Sequence, residues 1–157
     1  MKEAAYAQLK VAFAHRTLPA EVLREDLCGV DAADAGDFRD SLQAGESTSS
    51  LFHSAIPYFS FLTDNAALFY LPELLSIFAD DRTELLTVFM SLELDSGRRV
   101  LAQLSGIERA AIHAWVQALR AEEDHPLCFK LLDHLDELVE KPNQAPEPMP
   151  LKRHGSA

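Results

Sequence analysis

A chain of 157 residues that is 48% hydrophobic suits a single domain able to bury roughly two-thirds of its unfolded surface. Its 25 acidic residues against 14 basic ones give a formal net charge of −11, which repels phosphate backbones and anionic lipid heads and so argues against nucleic acid or a membrane as partner. Glu3 and Lys10 would interrupt the apolar core of a signal segment, and no uncharged apolar run approaches the ~18 residues of a membrane span, so a cytoplasmic protein is expected.

In the first segment, Tyr6, Leu9 and Phe13 recur at helical spacing with Ala5 and Ala12 beside them, which predicts an amphipathic helix from Lys2 to His15. Beyond Pro19 the stretch AEVLREDLCG promises a short helical turn at most, ending at Gly29, and VDAADAGDF offers little to bury. Seven acids and two Arg lie between Glu21 and Asp40, as expected of a solvated acidic edge or a face for a basic partner. A short helix through Phe38 and Leu42 is expected over Asp37 to Ala44, then a loop at GESTSS and a helix from Ser50 to Ile56.

The centre of the sequence is Phe59 to Phe78, FSFLTDNAALFYLPELLSIF. Thr63 is a good N-cap and Asp64 suits the positive end of a helix dipole. From Ala66 onward apolar residues go almost all the way round, which marks a helix buried on several sides, with Phe69 expected at its heart. Pro72 has no N–H for the carbonyl of Leu68, so a bend between Tyr70 and Glu73, or a fresh start with Glu73 as an exposed first-turn acid, is expected.

Thr83 can cap a further helix, TELLTVFMSLEL, and RRVLAQL brings Val100, Leu101 and Leu104 inward. Ser105 to Glu108 is a capping box, the clearest helix start in the chain. Behind it Ile107, Ala111, Ile112, Trp115, Val116 and Leu119 form an apolar stripe, with Glu108 and Arg109 assigned to the other face. Pro126 opens a last helix whose Leu127, Leu131, Leu132, Leu135, Leu138 and Val139 share a side. Four of the eight prolines fall in the final 17 residues, which predicts an extended tail from 141 to 157 after a helical domain over 1–140. The overall expectation is an all-α, single compact domain of about six to eight helices around a central kinked hydrophobic helix.

These residues resemble a bacterial domain family of unknown function. Its mark is a Phe-Leu-Ser/Thr segment followed by two aromatics and Leu-Pro, matched by Phe61, Leu62, Thr63 and then Phe69, Tyr70, Leu71, Pro72. A second match is the helix start Leu104, Ser105, Glu108, Arg109, and the likeness spans roughly Ala4 to Val139. Glu73 stands where relatives commonly have a small residue, and Leu51 and Phe52 where they often have a Trp. The resemblance implies a small helical bacterial protein and brings no activity, ligand or catalytic residue with it.

Chemistry finds little footing. None of the six His pairs as H-x-x-x-H or H-E-x-x-H, so neither a metal nor any other cofactor is expected. Cys28 and Cys128 lack C-x-x-C spacing and are expected to be buried free thiols. Glu122, Glu123, Asp124 and His125 fit a solvated turn, and Asp64 and Glu73, though a conceivable acid–base pair, are expected to serve the helix ends. No catalytic residue is assigned. Two functions remain: a non-catalytic, inhibitor- or immunity-like module whose acidic edges, Glu21 to Asp40 and Glu122 to Glu140, dock a basic protein, or a small-molecule-binding or hydrolytic domain with a pocket beside Pro72 lined by Tyr58, Phe61, Tyr70 and Glu73.

Overall fold

The computed structural model describes residues 2–47, 50–51, 60–80 and 92–144. Among these the chain is helical, with six α-helices: α1 Lys2–Ala12, α2 Gly29–Gln43, α3 Asp64–Asp80, α4 Asp95–Ala102, α5 Gly106–Glu122 and α6 Pro126–Glu140. The expected helix from Thr83, nearly all of the one from Ser50 to Ile56, the rings of Tyr58 and Phe59, and residues 145–157 of the expected tail lie outside the described residues.

Helix α1 buries Ala5, Leu9 and, just past its end, Phe13, while the Lys10 ammonium sits 5.0 Å from the Tyr6 ring centroid. It packs mainly along α5 and also touches α3. The chain then runs extended, and Leu23 pairs antiparallel with Leu62. Two backbone bonds hold that bridge, Arg24 N–H to the Phe61 carbonyl at 2.8 Å and Thr63 N–H to the Val22 carbonyl at 2.9 Å.

Gly29 opens a helix where the sequence predicted one to end. Its φ of +60° lies in the left-handed region, which glycine enters freely, so the residue turns the extended chain into α2. The 15 residues of α2 bury only Ala35 and Phe38 fully, and Asp31, Asp37 and Asp40 face outward. An amphipathic pattern this thin does not announce itself by periodicity.

Helix α3 is the hydrophobic centre, with Ala66, Leu68, Leu71, Leu74, Leu75 and Ile77 essentially inaccessible. Thr63 caps it, its hydroxyl accepting from Ala66 N–H at 3.4 Å and donating to the Glu21 carbonyl at 2.8 Å, which ties the helix start to the extended segment. Two expectations need correction. The helix continues through Pro72 without a restart, so Glu73 is a mid-helix residue, half-buried and not an exposed first-turn acid. An interior proline costs about 3 kcal/mol, and the leucines around it, each contributing about 1.5–3 kcal/mol, offset that. Phe69 is only partly buried at the margin of the core, edge-on to Tyr70 with ring centroids 4.9 Å apart, because the inward positions belong to the aliphatic residues.

Helices α4, α5 and α6 close the other side, α5 lying along α6 and α4 touching α3 and α6. The capping box at Ser105 is complete: Glu108 N–H donates to the Ser105 hydroxyl at 3.2 Å and Ser105 N–H to the Glu108 carboxylate at 2.7 Å. Ile112, Trp115 and Val116 are buried as the stripe predicts, whereas Ile107 is 74% exposed. Leu127 likewise faces solvent, on the outer side of a first turn whose Cys128 is buried, while Leu132, Leu135, Leu138 and Val139 are buried. The Arg109 guanidinium donates to the Leu101 carbonyl at 3.0 Å and to that of Val139, tying C-terminal carbonyls of α4 and α6 together. Cys128 is buried, but Cys28 is exposed because it precedes Gly29 at the surface end of α2; neither forms a disulfide.

Candidate functional site

The acidic edge between Glu21 and Asp40 falls into two parts. Residues 21–24 are extended and tied to the start of α3, 25 and 26 form a turn, and 29–40 belong to α2. Glu21, Glu25, Asp26, Asp31, Asp37 and Asp40 are exposed. Asp26 is committed, since both its oxygens accept from Arg24, and that guanidinium holds its carboxyl below the usual carboxylate range. Asp40 lies 3.7 Å from Arg39. Glu21, Glu25, Asp31 and Asp37 form no ion pair with the described residues, so their charge faces solvent.

On the second edge, Asp133 pairs with Arg120 at 2.9 Å, and Asp136 accepts from His113 Nδ1 at 2.8 and 2.9 Å. The Glu122–His125 run builds a turn: a Glu123 carboxylate oxygen accepts from the N–H of Asp124 and of His125, and His125 Nδ1 accepts from Leu127 N–H at the start of α6. Glu137 and Glu140 remain exposed on the outer face of α6.

Between the extended segment and the last turns of α2 lies a cleft of about 430 Å³. Leu18, Ala20, Val22 and Leu23 form one wall, Arg39, Leu42 and Gln43 the other, and Tyr70 of α3 reaches its floor. Burial first, and the Glu73 charge second, push the Tyr70 phenol above its ordinary pKa, so it is neutral across the physiological range.

Of the four residues expected to line a pocket, the structure brings only Tyr70 to this cleft. Tyr58 is outside the described residues. Phe61 is buried, 6% exposed, at the strand bridge. Glu73 is not part of the cleft wall, and its buried Oε2 has no hydrogen-bond partner among the described residues. The cleft instead recruits residues from two separate stretches, 18–23 and 39–43, and the adjacent Val22 and Leu23 show no alternation that would have announced an extended wall.

Two further charged clusters are structural. Asp64 accepts from Arg99 Nε at 2.9 Å and from Gln103 Nε2 at 2.9 Å, and Arg99 chiefly holds its carboxyl below the ordinary value. Glu108, assigned by the sequence to the solvent side, is fully buried. Arg16 covers it with bonds of 2.7 and 2.8 Å, and His15 Nε2 lies 3.4 Å away. Burial alone would raise this carboxyl; Arg16 and the Ser105 amide more than offset it, leaving it below the usual range. Among the described residues no three His, Cys, Asp or Glu side chains group as a metal site requires, and no helix is long and apolar enough to cross a membrane.

No protein-family model matches the chain, nor does any curated protein or any solved structure.

Proposed function

We propose that this chain is a non-catalytic, acidic interaction module, inhibitor- or immunity-like, that docks a basic protein partner. The carrying observation is the set of exposed, uncommitted carboxylates on the 21–40 edge of a chain with net charge −11. Charge of one sign on one edge steers a complementary partner and speeds encounter, an effect that salt screens within about 8–10 Å. Two cysteines outside any disulfide accord with a reducing compartment, and the resemblance to a bacterial family accords with a bacterial cytoplasm as the setting. The same charge disfavours nucleic acid and anionic membranes.

The test compares the wild type with a variant in which Glu21, Glu25, Asp31 and Asp37 become their amides, each used as bait in bacterial lysate at low and high salt. A partner of net positive charge should be retained by the wild type at low salt, be released at high salt and be missed by the variant. Recovery of no partner, or of one held equally by the variant, would overturn the reading.

The cleft at Tyr70 favours the second reading, a small-molecule-binding or hydrolytic domain. Its lining is mainly aliphatic and carries no acid–base pair, which supports binding over hydrolysis.

A further inference from the structure

We infer that the cleft between the extended segment and the end of α2 seats a bulky apolar side chain presented by an extended, basic segment of the partner. This rests on the proposed acidic docking role and gives it a location. Leu18, Val22, Leu23 and Leu42 supply apolar walls over Tyr70, and the 430 Å³ space is the size that takes one large side chain or a small ligand. A large aromatic or aliphatic anchor in such a pocket, ringed by polar groups, is the usual source of binding energy in a protein interface.

The surroundings choose the partner's charge. Glu21 sits between the lining residues Ala20 and Val22, and Asp40 directly follows Arg39; both are exposed, as are Glu25 and Asp37 nearby in the chain. An anchor arriving here is therefore flanked by carboxylates, which favours Lys and Arg on either side of it. Arg39 itself is 60% exposed, with only its neighbour Asp40 within ion-pair range among the described residues, so its guanidinium is available to a backbone carbonyl of the incoming segment.

The backbone favours an extended occupant. Val22 and Arg24 spend their bridge bonds on Thr63 and Phe61, and successive residues of an extended chain point their polar groups to opposite sides. The N–H and C=O of Leu23 are thus directed away from Leu62, and they carry no hydrogen bond with the described residues. A peptide laid along the cleft can pair with them, as a strand added to a free edge does.

The probe is a seven-residue amidated peptide with a central Trp flanked on each side by three Lys or Arg, titrated into the full chain and followed by calorimetry and by methyl NMR. The comparison peptide has Ala at the centre, and the comparison proteins are Ala20→Trp, which fills the cleft from an exposed position, and the double change Asp37→Asn, Asp40→Asn. Circular dichroism confirms that each variant folds. The expected result is shifts at the Leu18, Val22, Leu23 and Leu42 methyls, binding about tenfold weaker or more without the Trp, and loss in Ala20→Trp. High salt and the Asn variant should each weaken binding. Salt-sensitive binding that ignores the central residue and survives Ala20→Trp overturns the inference and leaves acidic docking standing. Binding that needs the Trp but ignores salt and the Asn changes overturns the charged partner in both. No binding of either peptide overturns the inference.

Discussion

At the scale of single residues, Glu108 does two jobs with one carboxylate: it completes the cap of α5 and receives Arg16 from beyond α1. Removing Arg16 leaves a fully buried charge with less compensation, so Arg16→Ala should cost about 3 kcal/mol, the low end for a broken buried pair because the Ser105 amide remains. Chemical denaturation at pH 7 checks this. The folded-state pKa of Glu108 is lowered, so its stabilisation is present above the unfolded value of about 4.3 and is lost as pH falls through the folded one. Glu108→Gln should therefore lose stability at pH 7 and show a shallower fall than the wild type between neutral pH and pH 3. In the core, Trp115 is inaccessible and Phe69 is marginal. Trp115→Ala should cost about 3–5 kcal/mol, and Phe69→Ala clearly less, as paired thermal melts would show.

At the scale of elements, α2 offers two opposed glycines. A Cβ at Gly29 meets nothing within 4 Å, so Gly29→Ala is opposed only by its positive φ, at about 1–2 kcal/mol. Gly36 lies inside the helix, where a Cβ finds ordinary contact with Arg39 at 3.9 Å, and Gly36→Ala should stabilise by about 0.5–1 kcal/mol. Urea midpoints of the two variants should move in opposite directions. The starts of α3, α5 and α6 were legible in Thr63, Ser105 with Glu108, and Pro126, because capping is a local contract between residues three positions apart or fewer. The beginning of α2 was not, because a glycine marks starts and stops alike until its φ is known, and because only two residues of the helix are fully buried. The fresh start allowed for at Pro72 was the opposite error. A local rule admitted a break, and the packing of Leu68, Leu71, Leu74 and Leu75 around the proline keeps one helix running from Asp64 to Asp80.

At the scale of the whole molecule, the all-α architecture followed from periodicity, whereas the cleft did not, since its walls come from residues 18–23 and 39–43 joined only by the folded chain. The burial of Glu108 was equally hidden, its partner lying 92 positions away. The net charge of −11 strains the folded body by self-repulsion. Moderate sodium chloride should thus raise the melting temperature while weakening the proposed association, and melts at low and physiological salt test the first half. The packing of α1 along α5 also has a consequence for the order in which the molecule can be made. The first helix leaves the ribosome roughly 5–20 s before its main partner exists, at about 5–20 residues per second over the stretch from Ala12 to Gly106. Until then Leu9 and Phe13 have no α5 to bury against and only α3 to touch, so the nascent chain carries a partly unsheltered apolar helix, an exposure that chaperones in the cell are suited to cover.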